Sequence, residues 1–370
     1  MTGALVIIVG VIVLIMVHEA GHFLAARAVG MKATEFFFGF GPRLWSVRRG
    51  ETEYGVKALP LGGYVRIAGM NPYEEVAPED VGRTYREKPF WAKSVVVLAG
   101  GATHLVLAFL LYYMVFTVIG VDSGQPTTRV AAVSTTGPEA GLVSPAAEAG
   151  IRPGDVIVEL GGVAVPTWDD LVAAIVSRPG ATVPVVVERD GARLELAATL
   201  AAVRDDDGTR GWLGVSPAGL QVRAGPIEGV GEAGGAVVDA VSMSARGMWG
   251  LFRNLGTLVT ATFQGDQETI DQNRPLSLVG LGRLGAQTQQ YGLAFTFELL
   301  ALIYVFLAIF NLLPVYPLDG GHFVVALYEK IRGRAPDVRK LAPIAGAVVA
   351  FIVLLGLFAL YLDIARPFEL

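Results

Sequence analysis

A short motif near the start of the chain has the residue types that metal-dependent hydrolysis requires. Residues 18–22 read His-Glu-Ala-Gly-His. On a helix, positions four apart share one face, so His18 and His22 can bind one metal ion. Glu19 lies beside them, where its carboxylate can accept a proton from a water molecule. A third ligand must come from elsewhere, because a catalytic zinc ion takes three protein ligands and keeps one position open.

The same motif lies in a segment that is apolar enough to span a membrane. Residues 3–17 include no Asp, Glu, Lys or Arg. Ionisable side chains are costly inside a bilayer and usually functional there. The alternative is a helix whose two histidines are merely buried and hydrogen-bonded, which offers no evident structural gain at this depth. We therefore predict a metal site built within a membrane helix.

The composition indicates an integral membrane protein. The mean hydropathy is +0.52, and hydrophobic and charged residues make up 53% and 17% of the 370 positions. The net charge of −5 comes without any block rich in Lys and Arg, so no nucleic acid is expected as a partner. The chain has no cysteine, which excludes disulfides, thiolate ligands and a cysteine nucleophile.

Several segments reach the roughly 20 apolar residues that a transmembrane helix needs. They are residues 3–28, 94–121, 295–318 and 341–362. A cleaved signal peptide is the alternative for the first segment. It is disfavoured because no basic residue precedes the apolar run and because cleavage would remove the histidine motif.

Basic residues near the span ends predict the orientation. The loop after the first span carries Lys and Arg at both of its ends, and the loop after the third span carries Lys330, Arg332, Arg334, Arg339 and Lys340. Both loops are therefore expected in the cytoplasm, with both termini and residues 122–293 outside. His18 lies about 22 Å along the first helix from Gly3, past the bilayer midplane. The site is thus predicted in the cytoplasmic half of the bacterial plasma membrane.

The predicted external region contains a recognisable module. Residues 144–162 include the stretch Gly-Ile-Arg-Pro-Gly-Asp-Val-Ile, and they resemble a PDZ domain of the bacterial protease-associated type. A helix over 168–176 and strands over 183–188 and 193–200 are expected to follow. A PDZ domain binds an extended peptide by strand addition. The alternative is a degenerate module that acts as a spacer or plug.

The chain is accordingly predicted to be a polytopic α-helical membrane protein with four transmembrane helices, a membrane-associated β-hairpin and an inserted extracytoplasmic PDZ domain. Its predicted parts are the first two helices with the hairpin loop (1–121), the PDZ domain (122–205), an extracytoplasmic juxtamembrane region (206–293), and the third and fourth helices (294–370). Within the juxtamembrane region we expect an amphipathic helix on the membrane surface over 236–263 and a loop over 275–285.

The end of the third span breaks its helix and carries a carboxylate. Residues 311–321 read Asn-Leu-Leu-Pro-Val-Tyr-Pro-Leu-Asp-Gly-Gly, where the prolines interrupt the helix and the glycines permit a sharp turn. Irregular backbone at membrane depth is tolerated where it lines a cavity. Asp319 is therefore the best candidate for the third ligand, although position alone equally allows a carboxylate at the headgroup boundary. The other candidates are His104, His322 and Glu298, of which Glu298 is expected near the outer interface.

These two motifs together resemble the site-2 protease family of intramembrane zinc metallopeptidases, and more closely the bacterial regulator-of-sigma-E protease subgroup. The stretches Phe-Gly-Phe-Gly-Pro at 38–42 and Leu-Pro-Leu-Gly-Gly-Tyr-Val at 59–65 add to the resemblance, which covers nearly the whole chain. The chain departs from the family at 100–104, where Gly-Gly-Ala-Thr-His replaces a frequent Gly-Pro-x-x-Asn. His104 either substitutes for that Asn or simply packs.

The resemblance implies a Zn²⁺ cofactor and the role of each site residue. It implies His18, His22 and Asp319 as zinc ligands, Glu19 as general base and Asn311 as a substrate contact. It also implies regulated intramembrane proteolysis, in which the substrate is the transmembrane segment of a single-pass membrane protein already trimmed outside, typically an anti-sigma factor.

Two other classes of protein compete with this interpretation. One is an ion transporter or channel with a broken third helix, but such proteins often pair broken helices in two halves and only one is evident here. The other is a non-catalytic PDZ scaffold anchored in the membrane, which has no need of residues 18–22 together with Asp319. Bound zinc together with Glu19-dependent cleavage distinguishes the protease from both.

Residues 54–68 are predicted to hold the substrate. A helix hides its carbonyls in its own hydrogen bonds, so a helical substrate must unwind before it is cut. We expect 54–58 and 64–68 to form a hairpin around 60–63. Its exposed edge, with Gly62 and Gly63 as substrate-binding residues, can hold the unwound segment extended. The resemblance points to a membrane-associated hairpin, and the alternative is an ordinary cytosolic one.

Overall fold

The computed structural model describes residues 2–71, 74–137, 143–205, 208–287 and 292–367. These residues form two compact units, one made of Met1–Ile119 and Ala224–Leu370 and the other of Gly120–Arg223. The second unit is an insertion in the sequence of the first. Residues 18–22 and Asp319 both belong to the first unit.

Helices form most of the first unit, and two short helices, α3 and α4, belong to the second. In chain order the helices of both units are α1 (Thr2–Ala28), α2 (Phe90–Met114, continued by a π-helical turn at Val115–Ile119), α3 (Pro145–Glu148), α4 (Trp168–Val176), α5 (Pro226–Gln264), α6 (Gln267–Asn273), α7 (Leu278–Gln287), α8 (Gly292–Asn311), α9 (Asp319–Arg332) and α10 (Val338–Ala365). The strands are β1 (Ala33–Arg49), β2 (Thr52–Ile67), β3 (Val121–Val133), β4 (Val156–Leu160), β5 (Val163–Ala164), β6 (Thr182–Arg189), β7 (Ala192–Thr199), β8 (Ala201–Asp205), β9 (Gly208–Trp212) and β10 (Val215–Val222).

Among the described residues, four helical segments are long and apolar enough to cross a membrane. They are Gly3–Ala28, Phe90–Ile119, Gly292–Asn311 and Arg339–Ala365. Their positions match the four predicted segments, with one correction. The third segment was predicted to reach residue 318, but α8 ends at Asn311. Pro314 and Pro317 cannot continue a helix, because each lacks an N–H donor and its ring clashes with the preceding turn.

The sheet of the first unit differs from the predicted hairpin. The segments 54–58 and 64–68 were expected to pair with each other. Instead, the first segment and residues 64–67 of the second both belong to β2, which runs through 60–63 and pairs with β1. Residues 35–38 of β1 pair with 63–66 on one side and with 53–56 on the other. The aromatic residues of β1 favour this arrangement, since the Phe37 ring stacks on Tyr64 with centroids 5.7 Å apart. The segment 63–66 is left at an edge of the sheet.

Helix α5 includes the helix predicted over 236–263 and begins ten residues earlier, at Pro226, whereas the predicted location on the membrane surface stays a prediction. It has three faces, because residues repeat every 3.6 positions around a helix. Small residues pack against the apolar core formed with α2 and α8, and among them are Ala233 and Ala240. Exposed apolar side chains form a second face, with Ile227, Val238, Trp249 and Phe263 among them. The third face is charged and carries Glu228, Glu232, Asp239, Arg246 and Arg253.

The loop predicted over 275–285 is wrong, because most of it belongs to helix α7. Gly280, Gly282 and Gly285 make this stretch a poor helix former by intrinsic propensity. Packing against α1 overrides that propensity, since a Cβ atom at Gly285 would lie 2.8 Å from Cγ1 of Ile7. Glycine at this position therefore lets the two helices approach closely.

The second unit is built on a six-stranded sheet ordered β10-β3-β4-β6-β7, with β5 paired to β4 and the separate pair β8–β9 beside it. The predicted helix over 168–176 and the two strands after it are confirmed. Thr167 and Asp170 form a capping box that begins α4. The compact unit extends to Arg223 rather than ending at the predicted residue 205, because β10 pairs with β3.

The aspartate of the Pro-Gly-Asp stretch has a structural role in this unit. Asp155 is almost fully buried, and its Oδ1 accepts a hydrogen bond from Nε of Arg189 at 2.7 Å. Its Oδ2 accepts a second one from the backbone N–H of Arg152 at 2.8 Å. The Arg189 guanidinium holds the pKa of Asp155 below its usual range.

Candidate metal centre in the first unit

Three side chains that were predicted as metal ligands meet at one point. Nε2 of His18 lies 3.1 Å from Nε2 of His22. Oδ2 of Asp319 lies 3.5 Å from the first of these nitrogens and 3.4 Å from the second. Within the part of the chain that the structure describes, this is the group of His and acidic side chains whose ligand atoms could hold a metal ion.

The size of this triangle fits zinc. Zinc binds His nitrogen and carboxylate oxygen at about 2.0–2.1 Å, so two ligands of a tetrahedral site lie about 3.3–3.4 Å apart. The three measured edges bracket that value. Oδ2 of Asp319 is also buried without a well-aligned hydrogen-bond donor in the described residues, which a bound cation would satisfy. The donor set of two imidazoles and one carboxylate is typical of catalytic zinc.

Helix α1 supplies the two histidines, and α2 orients one of them. The four-residue spacing places both imidazoles on the same face of α1. Nδ1 of His22 donates a hydrogen bond to the backbone carbonyl of Val96 at 2.7 Å. Such a bond leaves Nε2 as the metal-facing nitrogen and fixes the orientation of the ring.

The broken stretch after α8 places the carboxylate. Asp319 is the first residue of α9, directly after the interruption between α8 and α9. Gly320 and Gly321 pack directly against the backbone of residues 312–316, where a Cβ atom would overlap with main-chain atoms. The turn can therefore close tightly enough to direct Asp319 toward α1, as the prolines and glycines of this stretch suggested.

An ion pair between a buried lysine and a partly exposed glutamate holds α9 against α2. Nζ of Lys93 lies 2.6 Å from Oε2 of Glu329, and the lysine is only 3% exposed. The same ammonium group lies over the ring of Tyr85, 5.6 Å from its centroid. Because Asp319 begins α9 and Glu329 lies near its end, this pair restrains the helix that carries the third ligand. The sequence offered no signal for it, since the two residues are 236 positions apart.

Gly100 of α2 was missed as a site residue, although the departure at 100–104 drew attention to this stretch. A Cβ atom at Gly100 would lie 2.6 Å from Cε1 of His18 and closer still to Nε2 of His22. Any side chain larger than that of glycine would therefore keep α2 from approaching the two imidazoles this closely. One turn further along α2, the ring of His104 lies 4.8 Å from that of His18, centroid to centroid.

The other candidate residues have different positions. His322 lies on α9 with its ring 4.8 Å from that of Tyr316 and is not part of the ligand triangle. Glu298 lies within α8 and is likewise outside the triangle. Asn311 is the half-buried last residue of α8, and no side-chain hydrogen bond joins it to the triangle in the described residues. Its role as a substrate contact stays a prediction.

The edge of the β1–β2 sheet passes beside Glu19. A Cβ atom at Gly63 would lie 3.1 Å from Cγ of Glu19 and 3.3 Å from Sδ of Met16. Gly62 faces the ring of Phe40 in the same way, at 3.1 Å. Gly63 thus brings this strand edge against the carboxylate that was predicted as the general base, while Gly62 packs against Phe40.

Membrane-type helices with such a ligand triangle and an adjacent glutamate define the class of zinc metallopeptidases that are integral membrane proteins. The model of Peptidase family M50 matches residues 6–355, and the chain belongs to this family, the site-2 proteases. It is similar to the zinc metalloprotease Rip1 of Mycobacterium tuberculosis, with 35% identity over 100% of this chain and 98% of the relative. It is also similar to the regulator of sigma-W protease RasP of Bacillus subtilis, with 26% identity over 99% and 98%.

The similarity to a solved structure covers about a quarter of this chain. The PDZ domain of an SdrC-like protein from Listeria monocytogenes is 24% identical over 26% of this chain and 94% of its own length, with a TM-score of 0.21. The family and its named members establish this chain as a zinc-dependent metallopeptidase.

Proposed function

We propose that this chain cuts the transmembrane segment of single-pass membrane proteins, using His18, His22 and Asp319 as zinc ligands and Glu19 as general base. The observation that carries the proposal is the ligand triangle, which joins a membrane-type helix to the broken stretch after α8. A peptidase site built on such a helix is suited to a peptide bond within the bilayer. A peptide bond of a soluble substrate does not lie within the bilayer and so does not reach this site.

The chemistry divides between the metal ion and the chain. A bound zinc ion lowers the pKa of water toward about 7 and polarises a carbonyl group. Glu19 accepts the proton of the attacking water and passes it to the leaving amine. Asn311 donates a hydrogen bond to the carbonyl oxygen as charge develops on it. The strand edge at Gly62 and Gly63 pairs with the unwound substrate and holds it extended beside Glu19.

The proposed topology has four spans, with both termini outside. The loops after the first and third spans carry the basic residues, which supports a cytoplasmic location for both. His18 comes fifteen residues after Gly3, about 22 Å along α1, which supports a site in the cytoplasmic half. The inserted second unit then lies outside and contains none of the proposed catalytic groups.

We infer that the substrate is a membrane protein whose outer domain has already been removed, most simply an anti-sigma factor. Support comes from the relative named for regulation of sigma-W and from the position of the inserted unit. The purified protein, incubated in liposomes with single-pass proteins of the host, is expected to cut the trimmed forms inside their apolar segment. Mass spectrometry of the products locates the cut, and cleavage confined to soluble domains contradicts the proposal.

Excision of the inserted unit is expected to release the protease from its need for trimmed substrates. Val121 pairs with Val222, so the unit begins and ends at neighbouring residues, and a short Gly/Ser linker can replace it without stretching the chain. The expected result is unchanged zinc content, unchanged cleavage of trimmed substrate and new cleavage of the untrimmed form. If untrimmed substrate stays uncut while trimmed substrate is processed, the unit is not a size filter. If both are lost in a folded protein, the unit presents substrate instead.

Zinc content is expected to separate the ligands from their neighbours. Asp319→Ala should weaken zinc binding by more than about 100-fold, because loss of even a supporting partner costs 10- to 100-fold. His104→Ala is the matched control: the imidazole is buried beside His18 yet outside the triangle, so full zinc occupancy is expected. Competition with a zinc chelator measures both. Retention of zinc by Asp319→Ala, or its loss from His104→Ala, would show that the third ligand is misassigned.

A further inference from the structure

A basic cavity lies where α1 ends and the β1–β2 sheet begins. Its volume is about 330 Å³. Three arginines line it: Arg27 from the last turn of α1, Arg49 from the end of β1 and Arg83 from the loop before α2. Gly30 and Gly50 provide open backbone between them. No group of the metal centre lines this cavity, so the proteolytic reaction does not account for it.

The charges of the cavity are mostly uncompensated. Arg83 donates from Nη1 and Nη2 to the two carboxylate oxygens of Glu51 at 2.6 Å each. This pairing holds the pKa of Glu51 below its usual range, so the carboxylate stays ionised. Arg27 lies over the Phe23 ring at 5.6 Å, and neither Arg27 nor Arg49 has a carboxylate partner among the described residues. Three arginines against one glutamate give the wall a net charge of +2.

The position of the cavity at the end of a span selects the kind of anion. Arg27 lies one residue before the end of the apolar segment Gly3–Ala28, which is the level of lipid headgroups. Leu24, one turn earlier on the same helix face, is 63% exposed and offers an apolar surface next to the cavity. The guanidinium group matches the geometry of phosphate oxygens. The site thus combines a phosphate-binding wall with a surface for an acyl chain.

We propose that this arginine cavity binds the phosphate of an anionic phospholipid. Arg27 belongs to the helix that carries residues 18–22, while Arg49 belongs to the sheet whose edge lies against Glu19. One phosphate held by both arginines therefore ties the motif helix to the substrate-holding sheet. This lipid site is independent of the proposed cleavage reaction, and its test measures only the affinity of the protein for the lipid.

The test uses the full-length protein, stripped of lipid in detergent, and short-chain phosphatidylglycerol as the probe. Native mass spectrometry counts bound lipid, and a titration yields the dissociation constant. Each arginine near a bilayer surface contributes roughly 1 kcal/mol to anionic lipid binding, or about five-fold in affinity. Arg27→Gln with Arg49→Gln should therefore weaken binding about 25-fold. Arg48→Gln is the matched control, because this exposed neighbour on β1 does not line the cavity.

The comparison probes decide between the sources of phosphate. Phosphatidylcholine of the same chain length should bind at least ten-fold more weakly, and inorganic phosphate should compete only at much higher concentration. Arg27→Lys with Arg49→Lys keeps the charge but loses the planar guanidinium fork, so its affinity should lie between that of the wild type and that of the double Gln variant. Equal binding of phosphatidylcholine, equal binding by the double Gln variant, or inorganic phosphate binding as tightly as the lipid would each overturn the proposal.

Discussion

Glu19→Gln is expected to lower kcat by about 10²- to 10⁴-fold, the range that a positioned general acid–base group contributes. The amide keeps the size of the carboxylate but cannot accept the proton of the attacking water. Zinc content should stay unchanged, because Glu19 is not part of the ligand triangle. Single-turnover cleavage of a trimmed membrane substrate, together with metal analysis of the same sample, measures both quantities.

Glu298→Gln is the matched control for this variant. It makes the same chemical change at a carboxylate within a membrane-type helix, on α8, outside the ligand triangle. Its cleavage rate is expected to stay close to that of the wild type, because Glu298 is not part of the ligand triangle. Substantial turnover by a folded, zinc-loaded Glu19→Gln protein contradicts the assignment of the base. An equal loss in Glu298→Gln shows that the effect is not specific to Glu19.

The metal ligands could be predicted because their signals are local. The four-residue spacing of His18 and His22 predicts that they share one helix face, and ionisable residues within an apolar segment are usually functional. Asp319 is preceded by two prolines and followed by two glycines, which mark a broken helix without any knowledge of the fold. The distances of 3.5 and 3.4 Å from Oδ2 of Asp319 to the two imidazoles then follow from how α1 and α9 meet, which no local pattern contains.

The sheet could not be predicted from its own residues. The turn residues at 60–63 suggested a hairpin, yet β2 continues through them because β1 provides partners for both of its halves. Strand pairing depends on which segments share an aromatic surface, and Phe37 on Tyr64 is such a contact between distant positions. A strand edge near the site was nevertheless expected, and the edge at Gly63 does lie beside Glu19.

Glycines in two helices have roles that the sequence did not reveal. The stretch predicted as a loop over 275–285 is mostly helix α7, where Gly285 lets the helix pack closely on Ile7 of α1. On α2, Gly100 was noted only as part of a departure from the family pattern. In both places the reason for glycine is the approach of another element, and intrinsic propensity carries no information about that approach.

Gly100→Ala is therefore expected to damage the metal centre although it adds a single methyl group. The new Cβ atom would lie 2.6 Å from Cε1 of His18 and 2.7 Å from Cε1 of His22, with Nε2 of His22 nearer still. Either the imidazoles rotate or α2 moves away, and the second change stretches the bond from His22 to the Val96 carbonyl. Zinc affinity should fall by about 10- to 100-fold or more, as it does when supporting partners of a ligand are lost, and cleavage should fall with it.

Gly101→Ala separates this clash from any general effect of replacing a glycine in α2. Its Cβ atom would meet Leu312 at 3.7 Å, which is ordinary van der Waals contact, so zinc affinity and cleavage should stay close to those of the wild type. Both variants gain the same helix propensity from alanine, about 1 kcal/mol, so a difference between them reports on the imidazoles alone. Chelator competition and thermal unfolding of both proteins provide the comparison. Equal zinc affinity in the two variants would mean that α2 does not press on the histidine pair as the structure indicates.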